Sequence, residues 1–241
     1  MKKMTKIICV LIFCFIAFSC KKSSDNLTTP TNNIPTAGLI AYYPFNGNAN
    51  DESSNGHNGT VNGATLTTDR FGNTNKAYNF SSNYIELSNT EDINFLSGGF
   101  TLSAWVNFST FVNDGLLIAK HIIGSSSDNG YFLNVWANKF AFGIIMPRLT
   151  TTQQYSDGHW HHIVGIYDGT TEYIYVDGIQ NIYKTVSGPI ANSENIRIGT
   201  GGGPNYNTSY FEGKIDDIRI YNRSLSTQEI LSLYHEGGWT K

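Results

Sequence analysis

Residues 100–107 read Phe100-Thr101-Leu102-Ser103-Ala104-Trp105-Val106-Asn107. Apolar Phe100, Leu102, Ala104 and Val106 alternate with Thr101, Ser103, Trp105 and Asn107. A period of two marks a strand with one face in a core and the other turned outward. The pattern recurs. Tyr131, Leu133 and Val135 alternate with Phe132, Asn134 and Trp136, and Phe140, Phe142 and Ile144 alternate with smaller residues. Similar runs predict strands at 39–45, 77–81, 84–87, 115–121, 160–167, 172–176, 195–199 and 210–221. Turn formers separate them: Asp168-Gly169, Asp177-Gly178 and Gly201-Gly202-Gly203-Pro204. Tyr173 to Ile182 reads as a hairpin, because Asp-Gly accepts the positive φ of a tight primed turn. One segment has helical signals. Ser226 with Glu229 three residues on forms a capping box ahead of Ile230, Leu231 and Leu233. Many strands, regular turns and no strand–helix alternation predict an all-β antiparallel sandwich or barrel closed by one short C-terminal helix.

The N-terminus has a different character. Lys2, Lys3 and Lys6 precede an apolar run from Ile7 to Ser19. That run is shorter than the roughly 20 residues needed to span a bilayer, and a basic start with a short apolar core reads as an export signal. It ends Ala17-Phe18-Ser19-Cys20 and gives way at once to Lys21-Lys22-Ser23-Ser24-Asp25. A small residue before cysteine at such a junction resembles a bacterial lipobox. The resemblance implies cleavage after residue 19 and acylation of Cys20, giving an extracytoplasmic lipoprotein of the outer membrane or cell surface. Residues 20–36 hold mostly Ser, Thr, Asn, Pro and Lys, and read as a flexible tether. Residues 37–241 then form a single domain, long enough for one two-layer core. No internal repeat is visible.

The chain carries three cysteines, Cys9, Cys14 and Cys20. The first two lie in the segment read as removed and the third is the expected lipid site, so disulfides and cysteine-bound zinc are excluded. Lys and Arg number 16 against 19 Asp and Glu. Loss of three lysines with the signal makes the remainder more acidic still. No basic patch appears, which argues against a nucleic-acid partner. Charge is sparse at 15%, and the 24 glycines and 14 tyrosines suit a β-protein with many turns.

Four blocks together resemble a laminin G-like jelly roll of the concanavalin A-like lectin and glucanase superfamily. They are Leu39 to Phe45 with the loop Asn46 to Gly59; Phe100 to Val106; Gly158 to Val164, continuing to Tyr173-Ile174-Tyr175-Val176-Asp177-Gly178; and Gly213 to Ser226. The resemblance spans roughly 38–238. It implies a two-sheet antiparallel jelly-roll sandwich. Ser54 departs from the pattern, standing where the family usually has glycine.

The loop 46–59 is crowded with Asn, Asp, Ser and Gly, a supply of the hard oxygens that calcium prefers. The resemblance implies a structural calcium held by Asp51 and Asp216, with backbone carbonyls near Asn46 and Gly59. The alternative is a polar loop whose side chains fold back on its own backbone. His159 and His161 share one strand face, but two imidazoles make a poor zinc site. The block reads as an ordinary strand with Trp160 and Val164 packed inside. Retaining glycosidases need paired carboxylates. The nearest run, Glu212 to Asp217, is read with Asp216 and Asp217 on opposite sides, and no nucleophile elbow is present.

Sugar sites combine flat aromatic walls with a few polar groups. The alternation turns Trp105 and Asn107 outward on one strand, and Asn134 and Trp136 on another, with Tyr206 in a glycine-rich rim. These five residues are the expected ligand platform, unless loops cover the tryptophans. The expected protein is a non-catalytic, monomeric, surface-displayed binding module with a carbohydrate ligand. An adhesive module for a surface protein and a diverged glycan-processing enzyme are the alternatives.

Overall fold

The computed structural model describes residues 33–95, 98–110, 112–121, 130–144, 146–186, 192–202 and 209–240. Two antiparallel sheets pack face to face. The eight-stranded sheet runs β13 (Ile179–Thr185), β12 (Thr171–Val176), β11 (Trp160–Tyr167), β6 (Phe100–Asn107), β15 (Gly213–Tyr221), β4 (Ala77–Phe80) and β3 (Thr65–Thr67), with β1 (Leu39–Tyr43) also paired to β15. The seven-stranded sheet runs β10 (Leu149–Thr150), β9 (Lys139–Gly143), β8 (Gly130–Trp136), β7 (Asp114–His121), β14 (Ile196–Ile198), β5 (Tyr84–Leu87) and β2 (Thr60–Asn62). This is the jelly-roll sandwich that the alternation and the family blocks predict. The short strands β2, β3 and β10 were not legible, because two or three residues are too few to show a period.

Between the sheets lies one continuous core. Phe100, Leu102, Ala104 and Val106 of β6 meet Leu133 and Val135 of β8 and Phe140 and Phe142 of β9. Gly165 of β11 lies where a side chain cannot: a Cβ there would approach the Phe142 ring to 2.3 Å. The Asp177-Gly178 hairpin forms as expected between β12 and β13, with φ of 51° and 78° at the two turn residues. Both angles are positive, as a type I′ turn requires.

The outer face of the eight-stranded sheet is covered as well. Helix α1 (Thr227–Tyr234) begins with both halves of the capping box at Ser226 and Glu229. Its Ile230 and Leu233 pack on Val164 and Ile166 of β11 and Tyr221 of β15. Trp160 and Val164, expected inside the sandwich, therefore face away from the inter-sheet core; Ile163 and Tyr167 face it instead. Ile34, expected in the tether, packs on the same α1 cluster, and the Tyr221 hydroxyl donates to the Pro35 carbonyl at 3.0 Å. Ile34 and Pro35 are thus in contact with the folded unit.

Strand β15 breaks its regular ladder at one point. Its pairing with β6 shifts between Asp216 and Arg219, and Asp217 has φ of 44°. This bulge inserts an extra residue, so Ile215, Ile218 and Ile220 all reach the core while Asp216 and Asp217 leave it together. The expectation that the two aspartates point to opposite sides fails because strict alternation does not survive a bulge.

Ser54, the departure from the family pattern, has φ of 78°. Left-handed backbone costs an L-residue roughly 1–2 kcal/mol, a cost glycine escapes. Ser54→Gly is expected to raise stability by about 0.5–1 kcal/mol once the extra freedom of unfolded glycine is subtracted. A lower melting temperature for that variant would refute the assignment.

Candidate functional site

A cleft of about 440 Å³ opens beside the N-terminal end of β11. Trp160, Tyr234 and Trp239 supply aromatic walls, and Asp157, His159, His161 and Asp177 supply polar groups. Each is placed by a local rule. The Asp157 carboxylate accepts from the His159 N–H at 2.9 Å, and Gly158 between them takes φ of 77°. Such a side-chain-to-backbone turn is what Asp-Gly sequences favour. Gly158 is tied back by its N–H to the Phe108 carbonyl at 3.0 Å and by the Asn107 amide, which donates to its carbonyl at 2.6 Å. Asp177 closes the β12–β13 turn and also accepts from the His162 N–H at 2.9 Å.

His161 joins the two aspartates. Its Nδ1 lies 2.8 Å from Asp177, and its Nε2 lies 3.3 Å from each Asp157 oxygen. A neutral imidazole has one N–H, whereas carboxylates on both sides call for two donors. Burial works against the charged ring, but the hydrogen bond and charge of Asp177, followed by those of Asp157, outweigh it and raise the His161 pKa. The rim is thus an Asp–His–Asp array over aromatic walls.

Beneath the cleft lies a layer of buried polar groups. Trp105 is fully buried and stacks with His162 and Tyr234 at ring distances of 5.2 and 5.7 Å; Trp239 meets it edge-on at 5.2 Å. The Arg70 guanidinium lies 4.5 Å from the ring centres of both Trp105 and Phe71. One of its Nη atoms bonds Asp216 at 3.3 Å and also bonds Asp217. Arg219, likewise buried, lies 3.9 Å over the Tyr42 ring and bonds Glu236 at 2.7 Å. Burial and the Asp217 charge push the Asp216 carboxyl well above its ordinary range; burial acts the same way on Asp217, but Arg219 and Arg70 outweigh it and hold that pKa down. Arg70 lines the cleft, yet its buried Nε–H has no acceptor, and Trp105 Nε1 and His162 Nδ1 are likewise unpartnered.

His162 is neutral here. Burial first, then Arg70 and Arg219, lower its pKa to about 3. The unfolded chain therefore takes up a proton between about pH 6.5 and 3 that the folded protein refuses. The stability contributed by neutral His162 is complete above about pH 6.5 and is lost as pH falls toward 3. In acid titrations followed by urea unfolding, His162→Gln is expected to show a shallower loss across that window. An unchanged slope would show that His162 does not carry it.

The expected ligand platform does not assemble. Trp105 and Asn107 belong to β6 in one sheet, and Asn134 and Trp136 to β8 in the other. The outer faces of two stacked sheets look in opposite directions, so no ligand can bridge them. Trp105 is sealed by the C-terminal segment. Trp136 remains 39% exposed, with the Arg148 guanidinium 4.2 Å above its ring. Asn134 is buried and donates to Asp114 at 2.8 Å. Tyr206 lies outside the described residues. The cleft residues Asp157, His159 and His161 were visible as one run, but only as a histidine cluster. Arg70, Tyr234 and Trp239 left no signal, because nothing local shows that they converge.

At three of the four calcium candidates the side-chain oxygens are engaged by the protein itself. The Asp51 carboxylate accepts from the N–H groups of Tyr42, Ser53 and His57 and from the Ser53 hydroxyl, at 2.8–3.0 Å. The Asn46 side-chain oxygen accepts from Lys76 at 2.8 Å, and Asp216 faces Arg70. Gly59 packs so tightly that a Cβ would come within 2.6 Å of Ile85. Among the described residues, no group of three or more His, Cys, Asp or Glu is arranged to hold a metal ion. The two carboxylates expected to hold calcium, Asp51 and Asp216, are thus met by backbone N–H groups, a hydroxyl and Arg70.

A family model described as the concanavalin A-like lectin/glucanases superfamily, Laminin_G_3, matches residues 79–231. The chain belongs to this family. No curated protein matches it. Solved structures do. The binding domain of Paraclostridial Mosquitocidal Protein 1 superposes with a TM-score of 0.66 at 20% identity, covering 83% of this chain and 52% of that one. Domain 4 of AbnA, a GH43 extracellular arabinanase from Geobacillus stearothermophilus solved in complex with arabinotriose, gives 0.61 at 18%, covering 81% and 98%. Trypanosoma rangeli sialidase gives 0.65 at 17%, covering 83% of this chain and 33% of the enzyme. This family member thus spans about half of the first of these proteins and nearly all of the second. At such identities the likeness establishes a shared lectin-like jelly roll.

Proposed function

We propose that this jelly roll is a non-catalytic carbohydrate-binding module, displayed outside the cell on a lipid attached to Cys20. The observation that carries the reading is the cleft, where three aromatic side chains face an Asp–His–Asp array in a volume suited to a few sugar units. Among similar structures, a whole domain of comparable length is described in complex with arabinotriose, which supports the ligand class. Asp216 and Asp217 are spanned by one arginine and buried, an arrangement suited to holding a strand bulge together.

A glycan array with the full chain in detergent tests the reading. Hits that disappear in Trp160→Ala and persist in Trp136→Ala are expected. An array without hits, together with capture of a surface protein, would replace it with adhesion. Polysaccharide turnover abolished by Asp216→Asn would replace it with catalysis. Cys20→Ala is expected to move the protein from the membrane to the soluble fraction; retention in the membrane would refute the anchor. Because the 46–59 loop is closed by its own hydrogen bonds, neither calcium nor a chelator is expected to shift the melting temperature. A calcium-dependent rise would restore the ion.

A further inference from the structure

We propose that the cleft selects sugar units bearing a free, protonated amine over uronic acids. The inference rests on the carbohydrate reading and specifies its ligand.

Charge is the first ground. Asp157 and Asp177 bring two carboxylates to the rim; the His161 ring between them offsets at most one, and His159, 3.4 Å from Asp157, is 74% exposed, where water screens it. The Arg70 charge is already matched below by Asp217. The cleft therefore presents a surplus negative charge. Asp157 has a half-exposed side chain and Asp177 is 30% exposed, so neither is closed off by the protein. A carboxylate has about four acceptor positions, and the backbone and His161 leave some of these open on each. An ammonium group supplies three donors to such oxygens, whereas a uronate would set a third carboxylate against them.

The walls point the same way. Trp160, Tyr234 and Trp239 offer ring faces or edges within the cleft. The faces of tryptophan and tyrosine attract a cation and have no such attraction for an anion. Sugar hydroxyls can donate to the acceptor positions that remain on Asp157 and Asp177. Amine, hydroxyls and apolar ring face occur together in one hexosamine unit. The chain's net charge of −3 also favours the approach of cationic chains.

Calorimetric titration of the full chain in detergent at pH 6 tests this with three tetramers: β-1,4-glucosamine, its N-acetylated form and galacturonate. The glucosamine tetramer is expected to bind about tenfold more tightly than the N-acetylated one, the combined effect of two half-exposed charge contacts. That advantage should shrink in high salt. Galacturonate is expected to be the weakest. Asp157→Asn, which keeps the acceptor for the His159 N–H, is expected to cut the ratio of the two affinities to about twofold. Equal or tighter binding of galacturonate would overturn the selectivity and leave the carbohydrate reading standing. So would an advantage that survives both Asp157→Asn and Asp177→Asn. Failure of all three tetramers, with no hit on the array, would overturn both.

Discussion

Trp105→Ala is expected to lower the unfolding free energy by about 3–5 kcal/mol, the range for deleting a large buried aromatic. The effect is large because Trp105 is a support rather than a surface platform. Its ring is fully buried among His162, Tyr234, Trp239 and Arg70. Removing it leaves a cavity under the C-terminal segment and strips one aromatic face from the Arg70 guanidinium. Urea unfolding measures the loss. Trp136→Ala, by contrast, removes a ring that is 39% exposed, and its cost is expected to be under about 1 kcal/mol. Equal costs for the two variants would mean that Trp105 is not sealed as described. The pair also governs how binding data are read: lost affinity in Trp105→Ala would report a damaged cleft, and only Trp160→Ala reports a lost contact.

Arg219→Leu is expected to cost a similar amount, about 3–5 kcal/mol, for an electrostatic reason. Arg219 is 2% exposed, and its charge faces Asp217 and Glu236 while its guanidinium covers the Tyr42 ring. Leucine fills part of the volume but leaves Glu236 partly buried without its cation and Asp217 with Arg70 alone. The Glu236 tie holds the 3-10 turn Glu236–Gly238 that leads to Trp239. Local opening is therefore expected there first, seen as faster hydrogen exchange at residues 236–239 than in the β6–β11 ladder. A stability loss below about 1 kcal/mol, or uniform exchange, would show that the charges are solvated and that Arg219 does not clamp the C-terminus.

These two residues mark where reading the sequence succeeds and where it stops. The alternation in Phe100 to Val106 located β6 and its core face, since a strand's side-chain direction is set by its own backbone. The same holds for the Asp177-Gly178 turn and the Ser226–Glu229 cap, whose causes lie within four residues. Asp216 and Asp217 show the limit. Their sharing of one side depends on a bulge that spoils the period, although Ile215 and Ile218, three apart, carried a faint mark of it.

By itself, then, the sequence determined an antiparallel all-β fold, which the family blocks narrowed to a two-sheet jelly roll, with the core face of β6, the hairpin turn and the capped C-terminal helix. Tertiary structure decided which outward face is a surface. Helix α1 and Trp239 cover Trp105, and the division of strands between sheets separates Trp105 from Trp136. It alone gathered Arg70, Asp157, Asp177 and Trp239 into one cleft. Alternation is a local property of the chain, whereas burial and convergence depend on segments up to 170 residues apart that meet only after folding.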